Sequence, residues 1–170
     1  MAFIYPRSEP GSSSHLDLVE MLKALLRQVA QEIDGLSEGV LKFRAGEGEW
    51  SIKEVCGHLL DNAQVWHQRF QMAATQENPF LPSYDQEALV REHNYQEQDI
   101  RAILAAISEV RTRMIELLSD LVQWKWARPA YHPEYGRMSI RQMVKLMIGH
   151  EREHMEQLRA LREQAAAAVK

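Results

Sequence analysis

A single cysteine, Cys56, stands in the whole chain. It can close no internal disulfide and supply no thiolate metal cluster, and it fits a reducing, cytoplasmic setting. Basic runs are missing as well: 20 Lys and Arg are scattered among 24 Asp and Glu, for a net charge of -4. That balance argues against nucleic acid or an anionic membrane as main partner. No apolar stretch reaches the roughly 20 residues that cross a bilayer. The first residues lack a basic n-region and a long apolar core, so with Pro6, Pro10 and Gly11 they read as a mobile arm over 1–15, not as a signal peptide. Period-two alternation is absent too, which leaves no half-buried strand to predict.

What remains is helical periodicity in a chain of 170 residues with 45% apolar content, enough for one domain with a real core. The first stripe is Leu18, Leu22, Leu25, Val29, Ile33 and Leu36, closed by Gly35 and Gly39. The second helix opens at Trp50-Ser51-Ile52-Lys53-Glu54-Val55. Ser51 caps it, Glu54 reaches back, and Trp50 is placed to staple onto Val55. Its apolar face runs on through Leu59, Ala63, Trp66 and Phe70. A linker with Asn78-Pro79 and Leu81-Pro82 follows, long enough to cross the end of a bundle.

The third helix carries Ile100, Ile103, Ile107, Val110, Met114, Leu117 and Leu121. A continuous helix from Tyr84 to Leu121 would be about 57 Å long, too long for its partners, so a break near Asn94-Tyr95 is predicted. Beyond an aromatic loop over 124–137, Ser139 and Gln142 repeat the capping box, with Met138 and Met143 as the staple. The last helix then continues to fray over 165–170. The architecture that follows is all-α: a four-helix bundle over 16–164, with a long connection between its second and third helices.

Chemistry concentrates at His150-Glu151-Arg152-Glu153-His154. Residues i and i+4 stack on one helix face, so His150 and His154 can offer two imidazole nitrogens to one metal ion. Counting from the two caps places His58 on the corresponding face of the second helix, with Asn62, Val65 and Arg69 below it. For each imidazole the alternative is an ordinary hydrogen-bonded rim residue. Glu151 falls on the inward face, where it needs a partner: a histidine N–H, an arginine such as Arg69, or a metal-bound water. The alternative is a helix end loose enough to keep it wet. Asp61 is a weaker supporting candidate, His93 either lines the pocket or makes a buried polar contact, and His132 packs the end of the bundle. Gln157 lies on the histidine side of the last helix.

Neighbouring motifs fit less well. A zinc protease of the H-E-x-x-H type needs a further ligand downstream and a sheet edge for its substrate, and neither is present. A carboxylate-bridged di-iron bundle needs a second Glu-x-x-His, but Glu54 stands four residues before His58. Cys56 projects away from His58 and reads as core packing.

The phrases from Glu49 to Asp61, His132-Pro133-Glu134-Tyr135-Gly136, and Gly149-His150-Glu151-Arg152-Glu153-His154-Met155-Glu156-Gln157-Leu158 resemble the DinB/YfiT-like superfamily. The resemblance covers nearly the whole chain in order. It implies a four-helix bundle, often dimeric, that binds a divalent metal such as nickel or zinc through His58, His150 and His154. Relatives include bacillithiol- and mycothiol-using thiol transferases and a mycothiol-dependent maleylpyruvate isomerase. Three neutral ligands leave an ion strongly Lewis acidic. The leading expectation is therefore a metal-dependent S-transferase that activates a low-molecular-weight thiol co-substrate, with Glu151 orienting a group or moving a proton. The rivals are hydrolysis of a small substrate and a bundle that binds metal without catalysis. The expected assembly is a homodimer.

Overall fold

Serine and aspartate caps set where each helix begins. In a computed structural model describing residues 14–168, Ser14 caps α1 (His15–Ile33) and forms a reciprocal box with Asp17. Ser51 does the same for α3 (Ile52–Thr75) with Glu54, and Ser139 for α6 (Ile140–Ala168) with Gln142. Each such cap is worth about 1 kcal/mol. Asp85 starts α4 (Gln86–His93) and Asp99 starts α5 (Ile100–Asp120). The break predicted within the long helical stretch falls at Asn94, whose φ of 49° ends α4 before a 3-10 turn at Tyr95–Glu97. Residues 1–13 of the expected arm lie outside the described residues, and His15 already belongs to α1, stacked 4.5 Å from Trp126.

The four long helices form the bundle. α1 packs on α5 and α6, and α3 also packs on α5 and α6, so α1 and α3 face each other across the diagonal. The apolar stripes meet in a continuous core that includes Leu22, Val55, Phe70, Ile103, Met114, Met143, Met147 and Leu158. Burying each such side chain contributes about 1.5–3 kcal/mol. The connection between the second and third bundle helices is long, as the sequence predicts, and α4 and the 3-10 turn lie within it.

Three features depart from the sequence reading. Gly39 does not stop a helix but sits inside a short extra one, α2 (Glu38–Lys42), capped by Ser37. The aromatic loop contains an antiparallel hairpin, β1 (Pro129–His132) with β2 (Gly136–Ser139), too short to show an alternating pattern. The last helix stays regular to Ala168 because Ala165 is fully buried, so the described part of 165–170 is not frayed.

The hairpin matters for the site. The Tyr131 N–H donates to the Pro79 carbonyl at 2.8 Å, and the Leu81 N–H donates to the Tyr131 carbonyl at 2.9 Å. Arg128 donates to the Ala73 and Gln76 carbonyls at the end of α3. Linker and hairpin are thus tied to each other and to the same helix end, and together they wall a cleft along α3. No helix among the described residues is long and apolar enough to cross a membrane.

Candidate metal centre

The adjacency of α3 and α6 brings together the three histidines that phase counting aligned. Nε2 of His150 lies 3.3 Å from Nε2 of His58 and 3.0 Å from Nε2 of His154. One ligand atom from each ring lies within 4.8 Å of the others, and no other such cluster occurs among the described residues. His58 is fully buried, with the His150 and His154 rings 5.2 and 4.6 Å from its own. Trp50, just before the cap, packs 5.0 Å from its ring.

Electrostatics keep the cluster neutral. Burial pushes His58 down to about 3, reinforced by His154 and His150. Burial likewise lowers His150 to about 4, with His154 adding to it. His154 is also lowered by burial, although Gln157, Glu153 and Glu151 pull the other way. Uncharged imidazoles keep lone pairs available, and the tautomer of one is set: the Gln157 Oε1 atom can only accept, so His154 carries its proton on Nδ1, 2.8 Å away. Its Nε2 then points a lone pair at the other two rings. Nitrogens each about 2.1 Å from one ion lie about 3.0–3.4 Å apart in octahedral or tetrahedral geometry, so the donor set fits a divalent cation.

Glu151 is buried as predicted and its partner is an arginine, one of the expected kinds, but it is Arg111 on α5 and not Arg69. Arg111 also donates to the Leu22 carbonyl at 3.2 Å, which joins α6, α5 and α1 through one ion pair. Arg111 was hidden in the sequence because it lies on the third helix, where no motif marks it. Asp61 is buried and accepts from the Tyr95 hydroxyl at 2.6 Å. His93 stands at the surface beside the same Asp61, with Nδ1 2.9 Å from its carboxylate. Cys56 is buried in the core, and burial pushes its thiol up to about 12.

His150 also faces a cleft of about 510 Å3 between α3, the linker and the hairpin. Its walls include Asn62, Trp66, Arg69, Tyr84 and His132. His132 therefore does more than pack the end of the bundle. Donors stand on both sides of its ring: a terminal nitrogen of Arg69 lies 3.0 Å from Nε2, and the Glu134 and Tyr135 amides point at Nδ1 from 3.2 and 3.4 Å. Burial lowers its pKa to about 4, so the ring is neutral and accepts on one nitrogen only. Asn62 and Arg69 share the His58 face of α3, so the same phase count that found the histidines could have marked them as lining residues.

A four-helix bundle with three converging neutral imidazoles beside an open cleft is a helical scaffold carrying a candidate metal site. The chain belongs to the DinB superfamily, whose model matches residues 21–158. It is 22% identical over 157 residues to "Putative metal-dependent hydrolase YfiT" of Bacillus subtilis (strain 168), covering 92% of this chain and 88% of that one. It is 26% identical over 143 residues to "Putative metal-dependent hydrolase OB0782" of Oceanobacillus iheyensis, covering 84% and 83%. The solved structure of YfiT from Bacillus subtilis, described as a four-helix bundle of unusual topology, superposes with a TM-score of 0.83, covering 93% of this chain and 91% of that one at 22% identity. That likeness establishes the shared fold.

Proposed function

We propose that this protein is a divalent-metal-dependent enzyme acting on a small molecule bound in the cleft beside His150, with His58, His150 and His154 as the ligands. The observation that carries the reading is the convergence of three Nε2 atoms, held neutral by burial, with one of the three histidines, His150, in the wall of that cleft. A zinc or nickel ion there would supply a Lewis acid whose charge its ligands leave undiminished. The chain's own residues do the rest. Gln157 holds the His154 tautomer, the ion pair of Glu151 and Arg111 fixes the pitch of α6 against α5, and Trp50 shields the His58 ring from water. Glu151 is in this reading a positioning residue, since its carboxylate is engaged by Arg111.

Hydrolysis is the activity printed in the names of the relatives, and water as nucleophile asks for no second binding site. Transfer of a low-molecular-weight thiol to an electrophile is the second reading. The cleft volume of about 510 Å3 is ordinary for a small-molecule site and is compatible with either reaction. The thiol would come from a co-substrate, since Cys56 is sealed in the core. A panel of small esters, amides and electrophiles, assayed with and without added low-molecular-weight thiols, separates the two. Turnover that depends on thiol supports transfer, and turnover indifferent to it supports hydrolysis. Absence of turnover in either arm with fully metal-loaded protein would contradict the enzyme reading.

A further inference from the structure

Arg69 lies on the same face of α3 as His58, is only 3% exposed, and forms no ion pair with any described residue. One terminal nitrogen lies 3.0 Å from Nε2 of His132 and the other donates to the Pro82 carbonyl at 2.7 Å, while Nε has no acceptor. The guanidinium carbon sits 4.9 Å from the ring centre of Trp66 and 5.7 Å from that of Tyr84. The other charged groups of the cleft do not neutralise it. Glu134 acts on it only at longer range, and Asp85 is occupied as the cap of α4. Close by on the same wall, the buried Asn62 amide donates to the Tyr84 hydroxyl at 2.8 Å, yet its Oδ1 has no donor.

A desolvated guanidinium without a counter-ion, in the wall of an open cleft, is complementary to a negative group that arrives from solution. An unpaired carbonyl oxygen on the same wall, across Tyr84 from the guanidinium, asks for a donor on the same ligand. We propose that the cleft recognises small-molecule carboxylates through Arg69, with Asn62 Oδ1 accepting from a neighbouring N–H or O–H of the ligand. Trp66 and Tyr84 flank the carboxylate end, and the rest of the molecule extends towards His150. The assignment rests on the reading of this cleft as the substrate site and gives that site its substrate class: an acid carrying a nearby donor, such as an N-acyl amino acid.

The test uses metal-free protein, so that a carboxylate cannot be held by an ion. Hippurate and its uncharged amide are titrated calorimetrically into wild type and Arg69→Gln. Hippurate is expected to bind wild type at least tenfold more tightly than the amide, with the preference falling below about threefold in the variant. Because a buried-arginine variant can misfold, the arginine Nε–H resonances of the wild type provide a second measurement. One of them should shift with hippurate and stay in place with the amide. Equal affinity for the two probes, or no saturable hippurate binding, overturns the proposal. Hippurate binding seen only after metal is added also overturns it while leaving the metal centre intact. Carboxylate preference in a protein that takes up no metal would leave the Arg69 assignment standing and remove the metal reading.

Discussion

Nδ1 of His154 lies 2.8 Å from Oε1 of Gln157, one turn further along the same helix. The amide oxygen fixes the imidazole proton on the side away from His58 and His150, so the contact prepares the third donor before any ion arrives. Partners of this kind typically alter metal affinity by about 10–100-fold. Gln157→Leu should therefore weaken zinc or nickel binding by about that factor while leaving the helical circular dichroism spectrum unchanged. An unaltered affinity, measured by competition with a chromophoric chelator, would show that the contact does not prepare the ligand.

The pair of Glu151 and Arg111 is predicted to be structural. Removing one member strands a buried charge, which costs about 3–5 kcal/mol, whereas removing both can be nearly neutral. Glu151→Leu should thus lower stability in urea by that amount, and Glu151→Leu combined with Arg111→Met should recover most of it. Metal stoichiometry should stay at the wild-type level in the double variant. If the double variant is as unstable as the single one, the ion pair is not the brace described.

Gly57 precedes His58 and faces the ring of Tyr95, where a Cβ would come within 2.0 Å of the aromatic carbons. Tyr95 cannot withdraw easily, because it is buried and its hydroxyl is bonded to Asp61. Gly57→Ala should cost about 1–3 kcal/mol through overpacking. Relief of that cost in Gly57→Ala combined with Tyr95→Leu, followed by thermal denaturation, would verify the contact, and additive effects would refute it.

Acid should destabilise the metal-free protein well above the carboxylate range. His58, His150 and His132 are held down to about 3, 4 and 4 in the fold, and His154 is lowered as well. In the unfolded chain each takes up a proton near pH 6.5, so as pH falls below that value the unfolded state binds more protons and stability drops. The slope is about 1.4 kcal/mol per pH unit for each imidazole that stays neutral. Thermal midpoints should fall steeply between pH 6.5 and 5, and His150→Gln should flatten the profile. A midpoint constant across that interval would mean that the cluster accepts protons freely.

Much of the fold was readable because its signals are local. Ser51 with Glu54 and Ser139 with Gln142 fix helix starts within a few residues, and the same phase count aligns His58 with His150 and His154. What escaped depends on contacts between distant segments. The partner of Glu151 lies forty positions away on a helix with no motif. The cleft needs Arg69 from α3, Pro82 from the linker and His132 from the hairpin, three segments whose meeting no single periodicity records. The four-residue strands of the hairpin are too short to reveal a period, and α2 has only five residues.

The central claim is that three histidines hold one ion. Metal content, measured on protein purified without a histidine tag, tests it most directly when wild type is compared with His58→Ala and His154→Ala. About one equivalent of zinc or nickel in wild type and almost none in either variant is the predicted result; full occupancy in both variants would contradict the site.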